Sequence, residues 1–404
     1  MTDSESSTGK GATVAEQSDL APVEIAERAR AEGRLAIDTE FVSEGRYRPL
    51  LCLVQVAVAP RGRGEESEVA VLDPLAGFDH APLADLVADP AVEIVLHSGG
   101  QDAAILRREW GVAPRNLFDT QIAAGFAGHS AQAGYGNLLG RVTGVRLSKS
   151  AGFTRWDARP LTPEQVAYAR SDVDDLLTLA DTLRDQLEAA GRLEWAREEC
   201  RRLEEVSDER TPDEAYRRLP RVSQLRPRAR ATARELAEWR ERTAQSENRP
   251  VGSVLADVAL VEVARRQPQS IRELEAIRGV RRDVGRRRGE AILETVRRGR
   301  EAEPPPVEEW TRVELDPGDS ARIALCEALV RHRVNEAGLA YELVASRADL
   351  TQIVTAAREG AGEPDVRTLH GWRRDLVGAE LLELLVGRIR LSVADGGGVD
   401  VQRA

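Results

Sequence analysis

Asp38 and Glu40 stand two apart in LAIDTEF (residues 35–41), a stretch that otherwise reads as a buried strand. Side chains at i and i+2 of a strand share a face. The two carboxylates therefore lie side by side, where they repel and where burial of unpaired charge is costly. Asp102 follows in HSGGQDAAIL, after a glycine pair at a helix start. Tyr168 and Asp172 follow in VAYARSDVDD, at i and i+4 and so neighbours on one helical face. Four acids converging without cationic partners are unstable unless divalent cations neutralise them, and hard oxygen ligands favour Mg2+ or Mn2+. Two such ions suit in-line phosphodiester cleavage: one generates the nucleophile from water, the other stabilises the leaving oxygen. A nearby tyrosine holds the attacking water by a hydrogen bond.

The elements that must carry these residues are visible as pattern. RLAIDTEF, LLCLVQVAVA, EVAVLDP and VEIVLHS are strand-like. Helical periodicity follows over 100–110, 119–127, 133–142 and a long helix 163–189, with Thr162 as its N-cap and Pro163 at its first position. The apolar stripe of that helix runs through Val166, Val173, Leu177 and Ala180, so Tyr168 and Asp172 project off its centre, into a cleft. The order predicts an α/β domain with a mixed sheet flanked by helices over 21–203, after a disordered tail, 1–20. A charged linker is expected at 204–218, and an all-helical domain at 219–300 with helices near 226–246, 253–267, 270–278 and 285–299. A proline-rich acidic linker (301–320), a second helical block (321–391) and a frayed end (392–404) complete the expected organisation.

With 404 residues, 42% of them apolar and 31% charged, the chain suits two to four folded domains. No apolar run reaches the length of a membrane span, and residues 1–20 lack the basic start and apolar core of a secretory signal. Cys52, Cys200 and Cys326 are scattered, which offers neither a disulfide framework nor a zinc site and points to the cytoplasm. The net charge of −11 hides an asymmetry: residues 219–300 hold 20 Arg and 11 acids, a net +9, while the rest carries −20. Arg226, Arg228, Arg230 and Arg234 open that basic block, and Arg278, Arg281, Arg282, Arg286, Arg287 and Arg288 crowd RGVRRDVGRRRGE. Arginine forks suit phosphate oxygens and stack on bases, so RNA is the expected partner. No phosphate-binding GxxxxGK[ST] loop, GxGxxG, GxSxG or HExxH is present, which removes the sequence basis for ATP-driven unwinding, dinucleotide binding, serine hydrolysis and zinc peptidase chemistry.

DTEF, Asp102 in its H-x-x-x-x-D context and Tyr168-x-x-x-Asp172 occur in an order and spacing that resemble the motifs of the DEDDy 3′–5′ exonucleases. YRPLLCLVQVA, LFDTQIAA and RWDARPLTPEQVAYARSDV resemble the ribonuclease D family, and LRPRARATARELAEWRERTAQSENRPVGSVLADV resembles the helicase-and-RNase-D C-terminal (HRDC) domain. LHGWRRDLVGAELLELLVGRI resembles the second such domain of that family. The resemblance spans residues 25–391 and implies an RNase H-like nuclease domain followed by two HRDC-like bundles. It implies that Asp38, Glu40 and Asp172 hold the nucleophile-activating ion, that Asp38 bridges to a second ion served by Asp102, and that Tyr168 orients the water. It further implies that Thr39, Phe41 and, more weakly, Gln55 touch the terminal nucleotide. The implied activity is 3′–5′ hydrolysis of RNA, tRNA precursors among its substrates, releasing nucleoside 5′-monophosphates, by a monomer using no nucleotide cofactor. A 3′–5′ DNA exonuclease and a catalytically inactive RNA-binding protein are the alternatives. His97 is expected to be a packed, hydrogen-bonded histidine, and Asp119, Asp174 and Asp175 structural or solvated acids.

Overall fold

Pro22 at its first turn and Gly33 in the left-handed region (φ 73°) delimit helix α1 (Pro22–Glu32), after which the chain enters strand β1 (Arg34–Val42). The computed structural model describes residues 20–60, 67–147, 155–305, 315–394 and 396–404, so the predicted N-terminal tail lies almost wholly outside the described residues. Strand β2 (Leu50–Val58) pairs antiparallel to β1, and β3 (Glu68–Leu72) pairs antiparallel to β2. Helix α2 (Ala81–Val87) leads to β4 (Glu93–Leu96), α3 (Gly100–Trp110) and β5 (Leu117–Asp119), and both of these strands run parallel to their neighbours. The sheet order is β3-β2-β1-β4-β5, a mixed sheet with β1 at its centre.

Alternation along β1 separates two layers. Leu35 and Ile37 pack with Ile25 of α1, Leu83 of α2 and Ile105 of α3. Ala36 faces the other way, toward α4 (Thr120–Phe126), α5 (Tyr135–Val142) and the helices after them, and Asp38 and Glu40 share that face. The predicted helix 163–189 is two helices, α6 (Pro163–Ser171) and α7 (Leu176–Ala189). Thr162 caps α6 as predicted, with Gln165 completing a capping box, but Asp172, Asp174 and Asp175 oppose the dipole at its C-terminus and the Ser171 hydroxyl bonds back to the Tyr168 carbonyl (2.7 Å). The chain breaks there.

The expected linker at 204–218 is instead a strap. After α8 (Leu193–Arg201), Arg107 donates to the Val206 carbonyl (3.1 Å), Arg108 pairs with Asp208, and Glu204 accepts from the Asn116 amide (3.0 Å). Helix α9 (Pro212–Arg217) then places Ala215 and Tyr216 in the core of the next domain. That domain comprises α10 (Pro227–Ser246), α11 (Val251–Val254), α12 (Asp257–Arg266), α13 (Ile271–Glu275) and α14 (Arg282–Glu301).

The last block holds α15 (Asp319–Ala337), α16 (Tyr341–Val344), α17 (Arg347–Glu359), then α18 (Gly371–Arg373) continuing through a π turn into α19 (Ala379–Leu385). Most of the predicted proline-rich linker, 306–314, lies outside the described residues. The end is not frayed: β6 (Ile389–Val393) and β7 (Val399–Arg403) form an antiparallel hairpin whose Leu391 and Val401 pack on the helices. Ile323, Leu329 and Trp372 of this block share one apolar cluster with Phe126 and Leu183 of the nuclease-like domain, so the two are docked.

Candidate active site

Three elements bring the predicted acids together. On β1, Asp38 and Glu40 point from the sheet toward α6, and Asp172 caps the C-terminal end of α6 one turn after Tyr168. One carboxylate oxygen each from Asp38, Glu40 and Asp172 lies within 4.8 Å of the others. Asp102 sits in the first turn of α3, 7% exposed, and accepts a short hydrogen bond from the Thr39 hydroxyl. Thr39 thus ties the fourth acid to the strand that carries the first two. Among the described residues, no arginine, lysine or histidine forms an ion pair with any of the four.

The electrostatics follow from that crowding. Burial, then the charges of Asp102, Asp172 and Glu40, holds the Asp38 carboxyl well above its ordinary range. Burial followed by Asp172 and Asp102 lifts Glu40 to about 8, and burial lifts Asp172 to about 7 and Asp102 to about 6. Tyr168 rises to about 12, through burial and then Asp172, Glu40 and Asp38, so its phenol keeps its proton. Oxygen-only donors, mutual repulsion and the lack of an ion pair among the described residues fit a hard divalent cation.

Of the other predicted residues, Thr39 is 5% exposed with its hydroxyl committed to Asp102. Phe41 is half-buried against the opposite layer, packed with the α1–α3 cluster. Gln55 is fully buried opposite Asp38, between β1 and β3, and has no open face toward a nucleotide. His97 is packed as predicted, its ring bonded to Thr120 Oγ1 (2.9 Å) and the Ala133 carbonyl (3.1 Å). Asp119 is buried rather than solvated: its carboxylate takes the amides of Ser98 and Gly99 (3.1 and 2.8 Å) and of Gln121 and Ile122, the start of α4. It so anchors the loop that launches α3, where a Cβ on Gly99 would meet Leu96 Cβ at 2.6 Å.

Tyr135 was not singled out by sequence reasoning. Burial, then the charges of Asp175, Asp172 and Asp174, raises its phenol, which places that hydroxyl beside the α6–α7 turn. Its signal lay in GYGNLLG, a tyrosine at a helix start read there only for its glycines.

The arginine run divides. Arg281 and Arg288 are paired with Asp283 (3.0 Å) and Glu247 (2.5 Å), Arg234 with Asp213, and Arg230 is half-buried. Arg226, Arg228, Arg278, Arg282, Arg286 and Arg287 are exposed and, among the described residues, unpaired. The domain carrying them touches the nuclease-like domain through Tyr47, whose hydroxyl donates to Glu241 (2.9 Å) and whose amide donates to Asn248 (3.2 Å).

Comparison with known proteins places this geometry. The family model described as 3′-5′ exonuclease matches residues 13–188, and the HRDC domain model matches 229–296. Ribonuclease D of Gluconacetobacter diazotrophicus is 38% identical over 374 residues, 91% of this chain and 92% of its own. That of Acidiphilium cryptum is 36% identical over 385 residues, 93% and 94% of the two chains. The crystal structure of Escherichia coli RNase D, described as an exoribonuclease involved in structured RNA processing, superposes with a TM-score of 0.78 at 32% identity, covering 91% of this chain and 97% of that one.

Proposed function

The chain belongs to the ribonuclease D family, and from that premise we propose that it is a divalent-metal-dependent 3′–5′ exoribonuclease whose centre is the acid cluster on β1, α3 and α6. The observation that carries this is the meeting of Asp38, Glu40 and Asp172 oxygens within 4.8 Å, with no ion pair to any of them among the described residues. Asp38, Glu40 and Asp172 would hold one ion, and Asp38 with Asp102 would serve a second, Mg2+ or Mn2+ by the oxygen-only donor set. When bound, the ions supply a deprotonated water as nucleophile and offset charge on the leaving oxygen. Thr39 fixes the Asp102 carboxylate through its hydroxyl. Tyr168, protonated and one helical turn from Asp172, orients the attacking water.

The remaining domains extend the reading. The basic bundle, residues 219–300, grips the RNA body, and tRNA precursors with single-stranded 3′ ends are the substrates proposed. The block after residue 318 is a second HRDC-like unit. Both begin with a long helix, a four-residue helix ending in extended backbone (Leu255, Ala345) and a further helix. The π turn and the terminal hairpin of the second unit have no counterpart in the first. No helix among the described residues is long and apolar enough to cross a membrane. A cytoplasmic monomer without nucleotide cofactor is the working form proposed.

The test is a gel of 5′-labelled and 3′-labelled RNA and DNA oligonucleotides with Mg2+. Single-nucleotide laddering of the 5′-labelled RNA, with the 3′ label released as mononucleotide and both stopped by chelation, is expected. Activity that survives EDTA overturns the metal chemistry, equal attack on DNA favours the deoxyribonuclease reading, and no cleavage favours the binding protein.

The exposed arginines carry a separate expectation. Replacing Arg282, Arg286 and Arg287 together by alanine is expected to weaken binding of a structured RNA and to lower the salt slope of log affinity by about 2–3, roughly one per phosphate contact. Cleavage of a short single-stranded oligonucleotide stays at the parent rate. An unchanged slope would show that this face of α14 does not meet phosphate.

A further inference from the structure

Gln55 lies directly opposite Asp38 in the antiparallel β1–β2 pair, so the two side chains share a face with their Cβ atoms about 5 Å apart. It is 0% exposed, and among the described residues neither Oε1 nor Nε2 has a hydrogen-bond partner. A buried amide with both polar atoms unmet is rare and costly. A leucine or methionine would fill the same space without that cost. Around it on this face, Val71 on β3 is its direct neighbour and Ala36 and Val69 are diagonal, all apolar, whereas Asp38 and Glu40 are polar. Asp73, just past the end of β3, is taken by a bidentate pair with Arg159 (2.6 Å for each arm). Among its neighbours in the sheet, the polar side chains beside the amide are Asp38 and Glu40 of the acid cluster.

We infer that Gln55 is a positioning residue for Asp38: with the acid cluster loaded, its side-chain N–H donates to the Asp38 carboxylate. The inference rests on the reading of the cluster as a divalent-metal centre. A carboxylate shared between cations has oxygen lone pairs to spare, and a donor fixed on the next strand selects the rotamer in which the metal-facing oxygens point into the cleft. Full burial excludes direct contact with the nucleotide, so Gln55 acts through the carboxylate and not on the substrate.

The experiment compares the parent with Gln55→Met and Gln55→Leu. Manganese binding is titrated calorimetrically, and cleavage of a short RNA is titrated with Mg2+; the metal-free melting temperature and the KM for RNA at saturating metal are measured beside them. Both variants are expected to raise the metal midpoint 10–100-fold in the two titrations, as loss of a hydrogen bond to a metal ligand typically does. The KM for RNA stays at the parent value, and the metal-free melting temperature is equal or higher. Midpoints within two-fold of the parent in both variants overturn the inference, whatever the melting temperature does. An Asp38→Asn control separates the two levels: parent and control binding manganese alike overturns the metal-centre reading itself. A parent that binds metal while the control does not, with both Gln55 variants unmoved, overturns only the role of Gln55.

Discussion

Asp38→Asn lowers RNA hydrolysis on the order of 10³-fold or more and raises the melting temperature of the metal-free protein, while RNA affinity stays near the parent value. The loss reflects removal of the carboxylate that both proposed ions share, where several kcal/mol of charge stabilisation is at stake. The gain in stability reflects the same residue seen from the fold. Asp38 is buried among Asp102, Asp172 and Glu40, and its carboxyl is held well above the ordinary carboxylate range by burial and then by those charges. A group whose folded pKa is raised binds its proton more tightly in the folded state. Its contribution is fully present below the unfolded pKa and is lost as pH rises through the folded one. With Asp102 near 6, Asp172 near 7 and Glu40 near 8, the metal-free protein loses stability from about pH 5 to about pH 8. Divalent cations reverse this, so the rise in melting temperature on adding Mg2+ grows across the same window. Thermal melts at pH 5.5, 7 and 8.5, with and without Mg2+, read all of this. A metal-free parent that gains stability toward pH 8, or an Asp38→Asn variant that melts lower there, would contradict the account.

Arg373→Ala destabilises the whole protein by about 3 kcal/mol, the low end for breaking a buried pair, because the half-buried Glu199 carboxylate keeps Arg202 at 3.5 Å. Arg373 is 1% exposed and forks onto both oxygens of Glu199 on α8 (2.5 and 2.8 Å), with its Nε on the Leu343 carbonyl (2.7 Å). Burial pushes the Glu199 carboxyl up, yet the guanidinium holds it below its ordinary value, which marks a pair that is met rather than merely near. Beside it, Trp372 stacks on Trp195 with ring centroids 5.3 Å apart and meets the Phe126 ring edge-on at 4.9 Å. Gly371, beside the Glu198 carboxylate, takes a left-handed φ of 51° that favours glycine. Replacing both partners with apolar residues, Glu199→Leu with Arg373→Met, is expected to cost far less than the single change, since no charge is stranded. Urea unfolding of the parent and the two variants tests this; a single variant as stable as the parent would mean that the terminal block is not held by this contact. Removing the terminal block altogether exposes Phe126 and Trp195, so a shortened nuclease domain is expected to aggregate.

The chemistry was legible because it is written locally. Asp38 and Glu40 at i and i+2, and Tyr168 and Asp172 at i and i+4, share a face by backbone periodicity alone, whatever the rest of the chain does. Capping residues behaved likewise, as Thr162 with Gln165 shows. Where sequence reasoning failed, the deciding partner lay far along the chain. The charged stretch 204–218 read as a linker, yet it is held by Arg107, Arg108 and Asn116, roughly a hundred residues earlier. Gln55 read as a reach toward substrate, because composition cannot tell a cleft wall from a strand covered on both faces.

By itself, then, the sequence determined the acids and their order, the tyrosine, the basic block and the α/β-then-helical layout, since these follow from residue type and from spacings of two to four. Only the tertiary structure decided that Thr39 holds Asp102, that Asp119 anchors the loop before α3, which arginines remain unpaired, and that the terminal block docks through Trp372 and Arg373. Those outcomes depend on which side chains, distant in sequence, share one buried volume, and no local period encodes that.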